Sequence, residues 1–106
     1  MNEHIVLTES TYYILLALYT PQHGYGIMQT VERLSEGRVR LAAGTLYGAL
    51  NALCEKDWIV PLVVSEASRK KEYRLTDKGM AVLMTELNRL RQLVANGEAI
   101  LKEGQG

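Results

Sequence analysis

The sequence predicts an α+β fold that is mostly α-helical, and three observations support this prediction. Residues 43–55 place apolar side chains at helical spacing, so that one stripe faces a core. Residues 58–64 and 70–75 have the composition of two short strands. The last segment, from about Thr76 to Lys102, repeats apolar residues at alternating steps of three and four. A helix followed by a two-stranded hairpin is the winged helix-turn-helix arrangement, here with an added long C-terminal helix.

Length and composition limit the classes of protein to consider. The chain has 106 residues, 47% of them hydrophobic, which predicts one domain with a real core. The single cysteine, Cys54, excludes an internal disulfide and fits a reducing compartment. No secretory signal pattern opens the sequence, and no apolar run approaches the length of a membrane span. We therefore expect a soluble, cytoplasmic protein with no membrane partner.

The formal net charge is zero, but the charge is unevenly distributed. Residues 33–78 contain nine basic and six acidic side chains, a net charge of +3, which the two flanks compensate. This asymmetry suits a local footprint on phosphates, although the total charge does not indicate a nucleic-acid partner by itself.

The first two helices are predicted from their apolar stripes and from the residues that interrupt them. Helix 1 begins near residues 8–10 and continues to about Tyr19, where Pro21 and Gly24 stop it. It is apolar on more than half of its circumference, so we expect it to be covered on two sides. Helix 2 spans about residues 25–35 and ends at Gly37.

Residues 38–41 alternate charged and apolar side chains, which predicts a short strand at the edge of the hairpin sheet. Helix 3 follows from Ala43. Pro61, inside the first strand of the hairpin, predicts an edge position or a bend because proline donates no hydrogen bond to the ladder.

The last helix is longer than a domain of this size needs, about 40 Å at about 1.5 Å per residue. We therefore expect its seam to bury against a second subunit. The sequence divides accordingly into a DNA-binding unit, residues 1–75, and a dimerisation helix, residues 76–106. The seam consists of Met80, Leu83, Leu87, Leu90, Val94, Gly97 and Leu101.

The outer face of helix 3 is the candidate DNA-reading surface, since the second helix of a helix-turn-helix enters the major groove N-terminus first. The amide of Asn51 suits adenine, and the methyl group of Thr45 suits thymine. The Tyr47 hydroxyl suits a phosphate. The alternative is that the glycines only allow helix packing and that the lysines only solvate a hairpin. The predicted DNA-binding residues are Gly44, Thr45, Tyr47, Gly48 and Asn51 on the helix, with Arg69, Lys70 and Lys71 at the wing tip.

Four segments together resemble the PadR family of transcriptional repressors. They are residues 23–27 (His-Gly-Tyr-Gly-Ile), residues 44–50 (Gly-Thr-Leu-Tyr-Gly-Ala-Leu), residues 58–59 (Trp-Ile) and residues 71–79 (Lys-Glu-Tyr-Arg-Leu-Thr-Asp-Lys-Gly). The short length and single final helix resemble the smaller subfamily, whose dimers form through the last and first helices. The resemblance implies a homodimer that reads a pseudo-palindromic operator in double-stranded DNA and is released by a small molecule or a stress signal.

The chain departs from the family pattern at two places in the DNA-binding unit. Ala42 and Ala43 stand where the family often has Ser-Pro, so helix 3 lacks a side-chain cap that typically contributes about 1 kcal/mol. The wing segment, residues 65–68, is short and lacks glycine and proline, which leaves its reach into the minor groove open.

A third departure concerns the effector. One drug-binding branch of the family has a tryptophan on the last helix, whereas Trp58 here opens a wing strand. An aromatic drug sandwich is therefore not supported, whereas an apolar cavity, for a small apolar or aromatic effector, stays open. Tyr12 and Tyr13 are expected to pack at the dimer interface, with a hydrogen bond to an effector as their alternative role. The predicted effector and dimer-interface residues are Tyr12, Tyr13, Leu83, Leu87, Leu90 and Val94.

Other kinds of chemistry have little support. His4, His23 and Cys54 are too scattered for a metal site, and His23 is expected on the surface of a turn. Cys54 flanks the buried side of helix 3 and is expected to be an inert thiol, with redox sensing as the alternative. We expect no cofactor and no catalysis, since no phosphate loop or nucleophile pattern is present. Two other functions stay open: a winged helix that binds only proteins, and a small-molecule carrier.

Overall fold

The computed structural model describes residues 5–65 and 70–105, with backbone alone at residues 63–65, 70 and 105. It confirms a mostly α-helical winged helix-turn-helix with a long C-terminal helix. The elements in chain order are α1 (Glu9–Ala17), β1 (Gln22–His23), α2 (Gly24–Leu34), α3 (Ala43–Glu55), β2 (Ile59–Ser65), β3 (Lys70–Leu75) and α4 (Asp77–Gln105).

The starts of the first three helices differ in how they are capped. The Thr8 hydroxyl accepts a hydrogen bond from the Thr11 amide at 3.1 Å, which caps α1. The ring of His23 caps α2. Helix α3 begins after Ala42 with no side-chain cap, as the sequence predicts.

The three strands form an antiparallel sheet in the order β1-β3-β2. Gln22 pairs with Tyr73 on one side of β3, and Pro61 pairs with the same tyrosine on the other. Strand β2 is therefore an edge strand, and the edge position predicted from Pro61 is confirmed.

The strand predicted at residues 38–41 is wrong. The chain turns sharply after α2, with positive φ angles of 54° at Glu36 and 81° at Gly37. The Ser35 hydroxyl then accepts a hydrogen bond from the Val39 amide at 2.9 Å. This local contact holds the backbone against α2. The third strand is β1, where the sequence predicted only helix-breaking residues.

The core lies where the three helices of the first half meet the sheet and the beginning of α4. Helix α3 contributes Leu46, Leu50 and Leu53, all buried, as predicted from their spacing. The other buried apolar side chains are Ile14, Leu15, Ala17, Leu18, Ile27, Val31, Trp58, Ile59, Tyr73 and Leu83.

Helix α4 is fixed at its beginning and exposed at its end. Thr76 donates from its hydroxyl to the Asp57 carbonyl at 2.6 Å and accepts from the Gly79 amide at 3.0 Å. A Cβ atom added at Gly79 would lie 1.9 Å from the carbonyl oxygen of Trp58, so only glycine allows this contact. From Arg91 to Gly104, every side chain is exposed. None of the helices in the described part of the chain is long and apolar enough to cross a membrane.

Candidate nucleic-acid interface and the cavity behind it

The outer face of α3 is exposed and built from small residues near its beginning. Gly44, Thr45, Gly48 and Asn51 are all exposed, on the side opposite the buried leucines. A Cβ atom added at Gly44 or Gly48 would meet no atom within 4 Å. This face therefore lets a large surface approach the backbone of α3 closely, and its polar groups can form hydrogen bonds with that surface.

Tyr47 is 47% exposed, and its ring also reaches back to the beginning of α2. A Cβ atom added at Gly24 would lie 2.5 Å from the Tyr47 hydroxyl oxygen. Burial raises the pKa of Tyr73 on β3, and charge interactions with Cys54 and Tyr47 raise it further. Tyr47 therefore lies close to α2 and to the sheet while part of its ring stays accessible.

The first turn of α2 explains most of the His-Gly-Tyr-Gly segment. His23 was expected on the surface of a turn, but it lies in β1, partly buried, and its Nδ1 accepts a hydrogen bond from the Gly26 amide at 3.1 Å. Gln22 donates to the Ala17 carbonyl at 2.5 Å and lies over Gly26. Tyr25 is 63% exposed. The sequence reasoning missed it, although an aromatic residue between two glycines at a helix start was a usable signal.

The cations that flank α3 in the chain are not equally available. Arg38 forms an ion pair with Glu9, and Arg40 forms one with Glu32 at 3.1 Å. Exposed ion pairs add little stability, but they reduce the local positive charge offered to a ligand. Lys56 lies 5.0 Å above the ring of Trp58.

On the wing, Lys71 and Arg74 are exposed on β3. Arg69 lies outside the described residues, and so does the side chain of Lys70. Lys71 is therefore the predicted wing cation whose surroundings are described.

Cys54, near the end of α3, is partly buried. Burial raises the pKa of its thiol, and the nearby charge of Lys71 offsets this only in part. A raised pKa reduces the thiolate fraction at neutral pH, which fits an inert thiol. Across residues 5–65 and 70–105 no three histidine, cysteine or acidic side chains cluster as metal ligands.

A second exposed surface lies on the distal half of α4 and is apolar. Leu93, Val94, Ile100 and Leu101 are between 53% and 69% exposed. Among the predicted interface residues, Leu83 is buried in the core, whereas Leu87 and Leu90 are partly buried. The apolar seam of α4 therefore packs in the core near the beginning of the helix and is exposed along its distal half.

A cavity of about 360 Å³ lies between α1, the segment before it and the middle of α4. It brings together Tyr12, Tyr13 and Leu90 from the predicted effector residues. Leu83, Leu87 and Val94 do not line it. The lining residues are Leu7, Thr8, Glu9, Tyr12, Tyr13, Glu86 and Leu90.

Glu86 is a buried carboxylate in the wall of this cavity, only 2% exposed. Arg89 donates to its two oxygens at 2.6 and 2.8 Å, and the Leu7 amide donates at 3.0 Å. The hydrogen bond from Arg89, together with the one from Leu7, lowers the pKa of Glu86 despite its burial. The sequence reasoning missed this group; its spacing of three from Arg89, inside an apolar seam, was the available signal.

Known proteins resemble this chain in both sequence and fold. Residues 14–85 match the family model of the transcriptional regulator PadR-like family. A PadR family regulator from Clostridium difficile has 23% identity and a TM-score of 0.74, covering 89% of this chain and 99% of that chain. One from Eggerthella lenta has 26% identity and a TM-score of 0.66, covering 88% and 80%. Both have the fold described above.

Two further matches cover smaller parts of the other protein. Bacillus subtilis PadR, in complex with operator DNA, has 25% identity and a TM-score of 0.64, covering 73% of this chain and 45% of that chain. An uncharacterised 37.1 kDa protein in a Streptomyces fradiae transposon is 37% identical over 73 residues. This chain spans 20% of that protein's length.

Proposed function

This chain belongs to the PadR-like family of transcriptional regulators, and on that premise we propose that it is a ligand-responsive repressor that binds a pseudo-palindromic operator as a homodimer. In this proposal residues 1–75 carry DNA binding and residues 76–106 carry dimerisation. The single observation that carries DNA binding is the outer face of α3, which is exposed and unobstructed at Gly44 and Gly48.

Recognition of bases is assigned to the exposed face of the first three turns of α3. In a helix-turn-helix the N-terminal residues of the second helix meet the base edges in the major groove. Asn51 can form a bidentate pair with adenine, and the methyl group of Thr45 can contact thymine. Gly44 and Gly48 supply the clearance that lets the helix backbone enter the groove.

Contacts with phosphates are assigned to the edges of the same surface. The Tyr47 hydroxyl donates to a phosphate oxygen, and Arg69, Lys70 and Lys71 supply charge from the wing. Tyr25 joins this set because the first helix of a helix-turn-helix crosses the DNA backbone and Tyr25 is exposed in its first turn.

The homodimer is supported by the distal half of α4. Four large apolar side chains are exposed there on a stripe that continues the buried seam of the same helix. Contiguous apolar surface of this kind is characteristic of protein interfaces. A second copy of α4 would cover the stripe.

The effector site is assigned to the cavity between α1 and α4. Its volume of about 360 Å³ falls in the range of small-molecule sites. Tyr12 and Tyr13 offer ring faces and hydroxyls, and Leu90 links the cavity to the exposed stripe. A small apolar or aromatic molecule bound there would touch the two helices that the dimer needs.

Release from DNA would then be geometric. Half-sites of an operator lie about 34–36 Å apart, so both α3 helices must hold a fixed spacing. Because Thr76 and Gly79 fix the beginning of α4 to the connection between α3 and β2, movement of α4 also displaces α3. A ligand that favours another α4 arrangement would therefore lower operator affinity.

Two observations favour a different function, a winged helix that binds only proteins. The net charge is zero, and both Arg38 and Arg40 are engaged by glutamates. Such a module would show no salt-dependent DNA binding.

Fluorescence anisotropy separates the two functions. The labelled probes are the DNA upstream of the gene and a scrambled duplex of the same composition, each titrated at two salt concentrations. A repressor binds the upstream DNA selectively and weakens steeply as salt rises, because phosphate contacts release counterions. Equal, feeble binding to both duplexes would contradict the proposal and favour the protein-interaction module.

A further inference from the structure

At the beginning of α2, Gly24 lies against the ring of Tyr47 from α3. A Cβ atom at Gly24 would lie 2.5 Å from the Tyr47 hydroxyl oxygen, 2.9 Å from Cζ and 3.2 Å from Cε1. These are the three nearest atoms, and all belong to the same ring. Gly24 is buried, so the ring lies directly over its α-carbon.

This contact differs from the core packing beneath it. Leu46 and Leu50 join α3 to the core from its inner side and are fully buried. Tyr47 joins α3 to α2 from the outer side, where nearly half of its surface is still accessible. The position of its hydroxyl therefore depends on the space left at residue 24 and less on the core.

A methyl group at residue 24 would have to displace the ring. Nonbonded carbon and oxygen atoms rarely approach within 3.0 Å, and a side chain yields more easily than the backbone of two packed helices. The ring would move outward, across the surface that also carries Thr45 and Asn51. The fold would survive, but the DNA-facing surface would change shape.

We infer that Gly24 is a positioning residue for DNA binding: the space it leaves holds the Tyr47 ring against α2, which places the hydroxyl at the DNA backbone and clears the groove-reading face of α3. This inference rests on the proposed DNA-binding function and adds a residue that does not itself touch DNA. The ligand group is a phosphodiester oxygen, which accepts the hydrogen bond of the Tyr47 hydroxyl.

The chain provides a matched control on the same helix turn. A Cβ atom at Gly26 would also approach a side-chain oxygen to 2.5 Å, but that oxygen is Oε1 of Gln22. Gly26→Ala therefore strains the first turn of α2 to a similar degree without touching Tyr47.

The test is a double-mutant cycle on operator affinity, with thermal unfolding of every variant measured in parallel. The probe is a duplex that the wild-type protein selects from a random library. Gly24→Ala should weaken binding by about tenfold when Tyr47 is present and by less than about twofold in the Tyr47→Ala background. Gly26→Ala should have the same small effect in both backgrounds, because its strain does not involve the ring.

Tyr47→Phe provides an independent test that leaves the ring in place. Loss of the hydroxyl alone should weaken binding a few-fold, about equally for all duplexes, with the midpoint of thermal unfolding unchanged. If Gly24→Ala alone fails to fold, the double variant with Tyr47→Ala should fold again, since the clashing ring is gone.

Three results would overturn the inference: equal loss of affinity for Gly24→Ala in both backgrounds, full affinity of Gly24→Ala, or full affinity of Tyr47→Phe. A wild-type protein that selects no duplex would instead contradict DNA binding itself, so the two failures are distinguishable.

Discussion

The two exposed surfaces of this molecule are built from opposite kinds of residue. The beginning of α3 presents glycines, Gly44 and Gly48, with no atom near their missing side chains. The distal half of α4 presents large apolar side chains, among them Val94 and Leu101, which are more than half exposed. Both surfaces lack a partner within the described chain, and the difference between them indicates the partner that each one fits.

A nucleic acid brings its own volume and its own polar groups, so a protein surface that enters a groove gains from being small and polar. A second protein helix gains most from burying apolar area, at roughly 25 cal/mol per Å² removed from water. The α3 surface therefore provides clearance, whereas the α4 surface provides burial. Four experiments test this division, from the largest expected effect to the smallest.

Breaking the α4 surface should have the largest effect. Val94→Glu places a charge on the stripe, where a dimer would bury it unpaired. We expect the dissociation constant of the dimer to rise by about 100-fold or more. Operator affinity should fall in parallel, because only a dimer can bind both half-sites at once. Analytical ultracentrifugation measures the first quantity and anisotropy the second.

Gln92→Glu is the control for that change, since it adds the same charge at an exposed position on another side of α4. It should leave the dimer intact. A dimer that tolerates Val94→Glu as well as Gln92→Glu would show that the stripe is not the interface.

Removing the Asn51 amide on α3, which we propose to read a base, should have the next largest effect. Asn51→Ala should lower affinity for the preferred duplex by about 1–3 kcal/mol and relax the choice of base at one position, while scrambled DNA binds as before. Lys71→Ala should instead weaken all duplexes about equally and lower the salt slope by about one. A uniform loss for Asn51→Ala would assign it to the backbone instead.

Adding a single methyl group to each surface compares them directly. Gly44→Ala and Gly97→Ala both replace a helical glycine that has open space around it. Each should stabilise the fold, by up to about 1 kcal/mol, through helix propensity. Only Gly44→Ala should also weaken DNA binding, by a few-fold, because its methyl group narrows the clearance of α3. Thermal unfolding measures the gain in stability of each variant, and anisotropy on the same samples measures the loss of DNA affinity.

The smallest expected effect is a change in how the stability of the fold depends on pH, caused by Glu86 between α1 and α4. The pKa of Glu86 is lowered in the folded protein, so its contribution to stability is present above the ordinary glutamate pKa of 4.5 and is lost as pH falls below it. Glu86→Gln should lower the unfolding midpoint near neutral pH by a few degrees and make it less dependent on pH in the acidic range. Glu98→Gln, at an exposed position of α4, is the control. Parallel pH profiles for wild type and Glu86→Gln would contradict the assignment.

Helices and strands could be predicted from the sequence where their apolar pattern extends over enough residues to be recognised. The leucines of α3 and the hairpin after them predicted the centre of the fold, and the seam of α4 predicted its length. Strand β1 could not be found in this way because it has two residues, Gln22 and His23, and pairs only with β3. The alternation at residues 38–41 misled because Ser35 holds that backbone in a turn.

The candidate site was predicted only in part, for a related physical reason. Exposure of the α3 face follows from helix periodicity, which is local. The contact between Gly24 and Tyr47, and the hydrogen bond from the Leu7 amide to Glu86, join residues far apart in the chain. Such contacts exist only once the helices have packed, so no local pattern contains them.

Because α4 is held at its beginning and is long, a small rotation there displaces its far end by several ångströms. Gly79 lies against the Trp58 carbonyl so closely that the first turn of α4 and the connection after α3 rotate together. The helix continues for 26 residues beyond Gly79, to Gln105, which is about 39 Å at about 1.5 Å per residue. A rotation of this joined unit by only about 5° moves the far end by about 3.4 Å, roughly two thirds of one helical turn. The geometry of one glycine contact therefore controls where the distal half of α4 lies relative to α3.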